Sequence, residues 1–166
     1  MMARQIIFPA SEWVPNNPRF PVLVYKVALT DTTSFKNLFS SNGWSGIWTN
    51  GVFDYQHYHS AAHEVLGISR GHATLLIGGP GGEAISVEQG DCLLLPAGTG
   101  HRNLDCSDDF QVIGSYPPGQ QADILTSAAT AQQLSAIRSL PRPETDPVTG
   151  ASGGLIECWD DTVPSD

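Results

Sequence analysis

Gly51-Val52-Phe53-Asp54-Tyr55-Gln56-His57-Tyr58-His59-Ser60-Ala61-Ala62-His63-Glu64 decides how this chain folds. All five histidines of the 166 residues fall between positions 57 and 101. Histidines one residue apart lie on the same face of an extended strand, because side chains alternate with a period of two. His57 and His59 therefore converge on one point. Glu64 follows closely, but His101 is so distant in sequence that a second strand has to deliver it. Imidazole and carboxylate are donors that suit a divalent first-row transition metal. The spacing thus predicts a metal site of His57, His59, Glu64 and His101 inside a closed sheet.

The rest of the chain is consistent with such a sheet. Hydrophobic residues make up 40% and charged residues 15%, and seventeen Gly with twelve Pro imply many turns, as in a loop-punctuated β protein. Extended segments are expected at Gln5–Phe8 and Val22–Leu29, on either side of the loop Val14-Pro15-Asn16-Asn17-Pro18. A short helix is expected from Thr33 to Ser41, ended by Asn42-Gly43. Gly78-Gly79-Pro80-Gly81-Gly82 and Gly90-Asp91 read as hairpin turns, the second leading into Cys92-Leu93-Leu94-Leu95. A C-terminal helix is expected over Thr126–Leu140, packed outside the sheet and stopped by Pro141. The apolar island Leu155-Ile156-Glu157-Cys158-Trp159 reads as a late edge strand. Residues 1–50 then supply N-terminal strands and the short helix, 51–116 the barrel core with both metal motifs, and 117–166 the C-terminal helix and an extended tail, all in one structural domain.

Gly51, five residues, His57-Tyr58-His59, four residues, Glu64, six residues and Gly71 form a first motif. Gly90, five residues and Pro96-Ala97-Gly98-Thr99-Gly100-His101 form a second. Together they resemble the paired motifs of the cupin superfamily, and the flanks look similar to small single-domain bacterial cupins. The resemblance implies an all-β, antiparallel jelly-roll barrel in which His57, His59, Glu64 and His101 hold one metal. One departure is Asp105, which stands where the family's second motif usually has Asn; Asn103 is two residues earlier, and both are expected on His101's face of the strand. The resemblance leaves the reaction open, because the superfamily includes oxygenases, isomerases, decarboxylases, storage proteins and sugar-binding regulators.

His63 competes with Glu64, since strand neighbours point to opposite faces and strict parity from His57 favours His63. Ser60-Ala61-Ala62 reads as a turn or bulge that resets the register and turns Glu64 inward with Leu66 and Ile68. His72, just after Arg70-Gly71, is expected to face solvent. Phe53 and Tyr55, on the face of His57, and Tyr116, at the end of the last barrel strand, are expected at the pocket. Arg70 and Arg102 are the cations nearest the ligands, and neither forms an evident clamp.

Eight basic against seventeen acidic residues give a net charge of -9, which disfavours nucleic acid and anionic lipid as partners. Cys92, Cys106 and Cys158 lack zinc-like spacing and are expected as free thiols in a reducing compartment. The apolar run before Pro9 is too short for a signal peptide, and no stretch reaches membrane-span length, so the expected location is the cytoplasm. The expected cofactor is one divalent metal, among Fe, Mn, Ni, Cu and Zn. The expected activity is a metal-dependent enzyme, of oxygenase or isomerase type, on a small polar or anionic molecule, with Glu64 shifting between ligand and proton acceptor. The alternative is a module that binds or senses a metal-chelating metabolite. A homodimer paired through the N-terminal strands is the expected assembly.

Overall fold

Three runs of almost unbroken apolar residues, Val22–Tyr25, Val65–Ile68 and Cys92–Leu95, are buried along their whole length in the computed structural model, which describes residues 2–160. A strand apolar on both faces needs cover on both faces. These runs lie in a six-stranded antiparallel sheet of order β1 (Arg4–Ile6), β2 (Val22–Tyr25), β7 (Cys92–Leu95), β4 (Glu64–Arg70), β9 (Gln111–Tyr116) and β3 (Ser45–Asn50). A three-stranded sheet of order β6 (Glu83–Glu88), β5 (His72–Ile77) and β8 (His101–Cys106) faces it. The chain thus forms the antiparallel, all-β jelly roll expected of a cupin.

Alternation along the strands divides the core in two. Val22, Val24, Leu66, Ile68, Leu93 and Leu95 turn inward and meet Leu75, Ile77, Ile85 and Val87 of the smaller sheet. Leu23, Tyr25, Val65, Cys92, Leu94 and Ile113 turn to the other side, where Phe35, Phe39, Trp44, Leu155 and Trp159 cover them. Phe35 and Phe39 come from α1 (Phe35–Ser41), which follows a 3-10 turn at Thr32–Ser34. The anticipated hairpin turn at Gly78–Gly82 joins the paired strands β5 and β6, whereas Gly90-Asp91 is not a hairpin turn but carries the chain from β6 in the smaller sheet to β7 in the larger.

The C-terminal region differs from the sequence reading in two places. α2 covers Ala131–Ser139 rather than starting at Thr126, because Thr130 and Gln133 form a reciprocal capping box. Leu125 instead pairs with Tyr58. The helix buries Ile137 against Tyr58 and Ala97 on the outside of the barrel. Leu155–Cys158 is a single helical turn, α3, and not an edge strand. The turn brings Leu155 and Trp159 onto one side and into the second core, where Trp159 stacks on Phe20 with ring centroids 4.7 Å apart.

Asp146 anchors this tail. Its fully buried carboxylate accepts hydrogen bonds from the Tyr25 hydroxyl and from the N–H groups of Val148, Thr149 and Leu155. Burial and the Asp146 charge push the Tyr25 hydroxyl well above its usual range, so it remains a donor. Replacing Asp146 with Ala leaves four donors unmatched, those of Tyr25 and Leu155 buried, and an Asp146→Ala variant is expected to lose about 3 kcal/mol of stability in chemical denaturation. Tyr25→Phe, which removes one donor, is expected to lose about 1 kcal/mol in the same measurement.

Candidate metal centre

Residues 51–63 connect β3 to β4 across the open end of the two sheets. Within this connection His57 pairs with His101 through two backbone hydrogen bonds, 2.9 and 3.3 Å long. That bridge brings a residue of β8 to the first motif, with the two imidazole centroids 4.0 Å apart. The His59 centroid lies 5.6 Å from that of His57 and 5.2 Å from that of His101. One donor atom from each ring, all buried, lies within 4.8 Å of the other two.

Hydrogen bonds to the backbone orient each ring. His57 Nδ1–H donates to the Tyr55 carbonyl at 3.0 Å, His101 Nδ1–H to the Thr99 carbonyl at 2.9 Å, and His59 Nδ1–H to the Asp123 carbonyl. Occupying Nδ1 in this way directs the Nε2 lone pair inward, as metal-binding imidazoles require. Glu64, the first residue of β4, places Oε1 3.2 Å from His59 Nε2 and 3.5 Å from His101 Nε2. Two imidazole lone pairs and a carboxylate oxygen are all acceptors. Buried side by side, they need a proton or a cation between them, so the donor set fits a metal ion.

The electrostatics of His57 agree with that fit. Burial and the neighbouring His101 push His57 down to about 3, which keeps it in the neutral form that ligates metals. Burial disfavours charge on both Glu64 and His59, but their mutual attraction prevails, holding Glu64 well below the carboxylate range and raising His59.

His63 takes no part in the cluster. Ser60 and Ala61 are held outside any strand by the Asp123 carboxylate, which accepts from both backbone N–H groups and the Ser60 hydroxyl. The register resets there, and Glu64 rather than His63 turns toward the imidazoles. His63 is fully buried on the opposite side between Phe20 and Trp159, accepting from the Ala97 N–H and donating to the Pro141 carbonyl. His72 is exposed, as expected.

A cavity of about 290 Å³ opens onto the cluster and is lined by Phe53 and Tyr116 among the residues anticipated for it. Burial and the Glu64 charge raise the Tyr116 hydroxyl above its normal range, and that hydroxyl accepts a 2.9 Å hydrogen bond from Trp48 Nε1. Tyr55 does not line the cavity; it stacks on the outer side of Phe53, with centroids 4.8 Å apart. Asn103 and Asp105 do not line it either. Asn103 keeps the parity of His101, opposite Leu75 as His101 is opposite Ile77, and its N–H donates to the Phe53 carbonyl, whereas the bulge at Leu104 breaks the alternation beyond it and leaves Asp105 exposed.

Three residues that support the cluster were not singled out in the sequence. Asn16 donates to the Pro9 and Gly78 carbonyls and accepts from the Gly100 N–H. Asn17 donates to the Ala97 carbonyl. Together they fix the 96–100 loop that presents His101. Gly98 in this loop has φ +91°, and a Cβ there would lie 2.7 Å from the Asn16 carbonyl oxygen. Asp123 is the third, and its only sequence cue is an acidic residue in a post-barrel loop.

No protein-family model matches the chain. It is 41% identical over 154 residues to the uncharacterized protein YjlB of Bacillus subtilis (strain 168), covering 92% of this chain and 93% of YjlB. Among solved structures it is similar to a DUF861 family protein from Thermotoga maritima, with a TM-score of 0.40, 19% identity and coverage of 57% of this chain and 98% of that one. It is also similar to acireductone dioxygenase from Bacillus anthracis with cadmium ion in the active center, with a TM-score of 0.38, 19% identity and coverage of 64% and 78%. Oxalate decarboxylase from Bacillus subtilis gives a TM-score of 0.38 at 20% identity, over 70% of this chain and 29% of that chain.

The contrast between His59 and His63 is directly measurable. His59→Gln is expected to lower metal uptake by at least about tenfold in equilibrium dialysis. His63→Gln is expected to leave uptake unchanged but to lower stability by about 2 kcal/mol in urea denaturation, because it disturbs two buried hydrogen bonds.

Proposed function

The chain belongs to the same family as Bacillus subtilis YjlB, and from the side chains gathered in its cavity we propose that it is a metal-dependent enzyme, of oxygenase or isomerase type, acting on a small molecule. The observation that carries this reading is the convergence of His57, His59 and His101 donor atoms beside the Glu64 carboxylate, inside a cavity large enough for a metabolite. A purely structural site is closed on all sides by protein donors, whereas this cluster faces open volume. His57, His59, Glu64 and His101 hold the ion. A divalent metal bound there supplies Lewis-acid polarisation or, as iron, activation of oxygen.

The protein groups divide the remaining work. The imidazoles stay fixed through their Nδ1–H bonds, so Glu64 is the group free to exchange roles. In this reading Glu64 accepts a substrate proton and is the catalytic base. Tyr116, held protonated, donates from its hydroxyl to an oxygen of the substrate. Trp48 and Phe53 keep bulk water from the reacting groups.

Protein purified without chelators is expected to contain close to one transition-metal ion per chain by elemental mass spectrometry, and His101→Ala less than about a tenth of that. Anaerobic loading with iron, followed by oxygen-uptake measurements against diols, thiols and keto acids, tests the activity. Turnover with none of several metals, combined with retention of a small molecule through purification, would instead favour a non-catalytic binding or sensing module.

A further inference from the structure

The wall of the cavity away from the ligands is mostly apolar, built from Trp48, Val52, Phe53, Leu66, Ala122 and Ile124, with Asn50 and Tyr116 as its polar side chains. No lysine or arginine lines it among the described residues. Arg70 opens instead on a separate cleft with Lys36 and Thr33, and Arg102 reaches neither. Most of the remaining cations are committed elsewhere: Arg4 pairs with Glu83, Lys26 with Asp91, and Arg19 and Arg142 donate to backbone carbonyls. The chain carries a net charge of -9, and the Glu64 carboxylate already offsets part of the charge that a divalent ion would bring to the cavity.

A carboxylate or phosphate desolvated against this wall would have no counter-charge, which is strongly unfavourable. An apolar, ring-sized body gains on the same surface. At about 290 Å³ the cavity lies near the lower limit of small-molecule sites, which sets the ligand at metabolite size.

The aromatic wall depends on Gly114. Trp48 lies flat across it, and a Cβ at this position would fall 2.0 Å from the indole Cε2. The indole's N–H is tethered to Tyr116, so the ring is fixed on both sides.

We propose that the substrate is uncharged and predominantly apolar away from the metal, binding through one chelating head with its body against Trp48, Val52, Phe53, Leu66 and Ile124. This rests on the metal centre described above and replaces the anionic class expected from the sequence.

The test uses the full-length chain loaded anaerobically with Co(II), titrated with catechol and with protocatechuate. These share a vicinal diol head and differ by a ring carboxylate. Co(II) absorption reports the head, and tryptophan fluorescence reports the body. Catechol is expected to bind roughly tenfold more tightly or better. Equal or tighter binding of protocatechuate, or binding of neither by a chain that holds Co(II), overturns the substrate class and leaves the metal centre standing. A chain that fails to hold Co(II) overturns the metal centre itself, and the substrate class with it.

Gly114→Ala drives the indole into the cavity without touching a ligand. It is expected to retain Co(II) and to weaken catechol at least about tenfold. Unchanged catechol affinity overturns the proposal. Should Gly114→Ala not fold, Val52→Arg adds a cation to the wall and is expected to reverse the order of the two ligands. An unchanged order then overturns the proposal.

Discussion

Two imidazole lone pairs and a carboxylate oxygen lie about a hydrogen-bond length apart inside a barrel from which water is largely excluded. Two neutral imidazoles and an ionised carboxylate do not satisfy that geometry by themselves, because each of the three atoms accepts and none donates. A proton or a cation has to sit among them. Everything around the cluster serves to hold this unfavourable arrangement in place: the carbonyls of Tyr55, Thr99 and Asp123 take the Nδ1 protons, the His57–His101 bridge fixes the spacing, and Asn16 and Asn17 secure the loop behind His101.

Whatever depended on local periodicity could be read from the sequence. His57 and His59 share a direction because they are one residue apart, and the glycine turns at 78–82 and 90 fall where the chain passes from one strand to the next. The break at Ser60-Ala61-Ala62, beyond which Glu64 rather than His63 faces the imidazoles, is legible because this stretch looks unlike strand. What the sequence did not reveal is the agent that makes this so: Asp123, more than fifty residues further on, binds the backbone of Ser60 and Ala61.

The misreadings share a cause. Asp105 was placed by counting alternation from His101, and one bulged residue defeats such counting. Tyr55 was placed by the same parity from His57, but residues 51–56 are not in a strand. Leu155–Trp159 is apolar enough for a strand, yet the buried Asp146 carboxylate captures the Leu155 N–H and starts a helical turn. In each case the backbone departs from the regular alternation that the local pattern suggests. The wall of the cavity lay beyond sequence reading because Trp48 meets Gly114 only after β3 pairs with β9.

β4 carries Glu64, Leu66 and Ile68 to one side, and His63, just before it, points with Val65 to the other. A shift of this strand by a single residue exchanges the two sets. Its most insidious product would look nearly functional: His63 would enter the cavity as a fourth imidazole, and Glu64 would be forced among Phe20, Leu23 and Trp159. The chain therefore encodes a decoy of its own centre one step away. His63 is held on its own side by Phe20 and Trp159 and by hydrogen bonds with Ala97 and Pro141, so the register that brings Glu64 to the imidazoles rests on contacts drawn from both ends of the described residues.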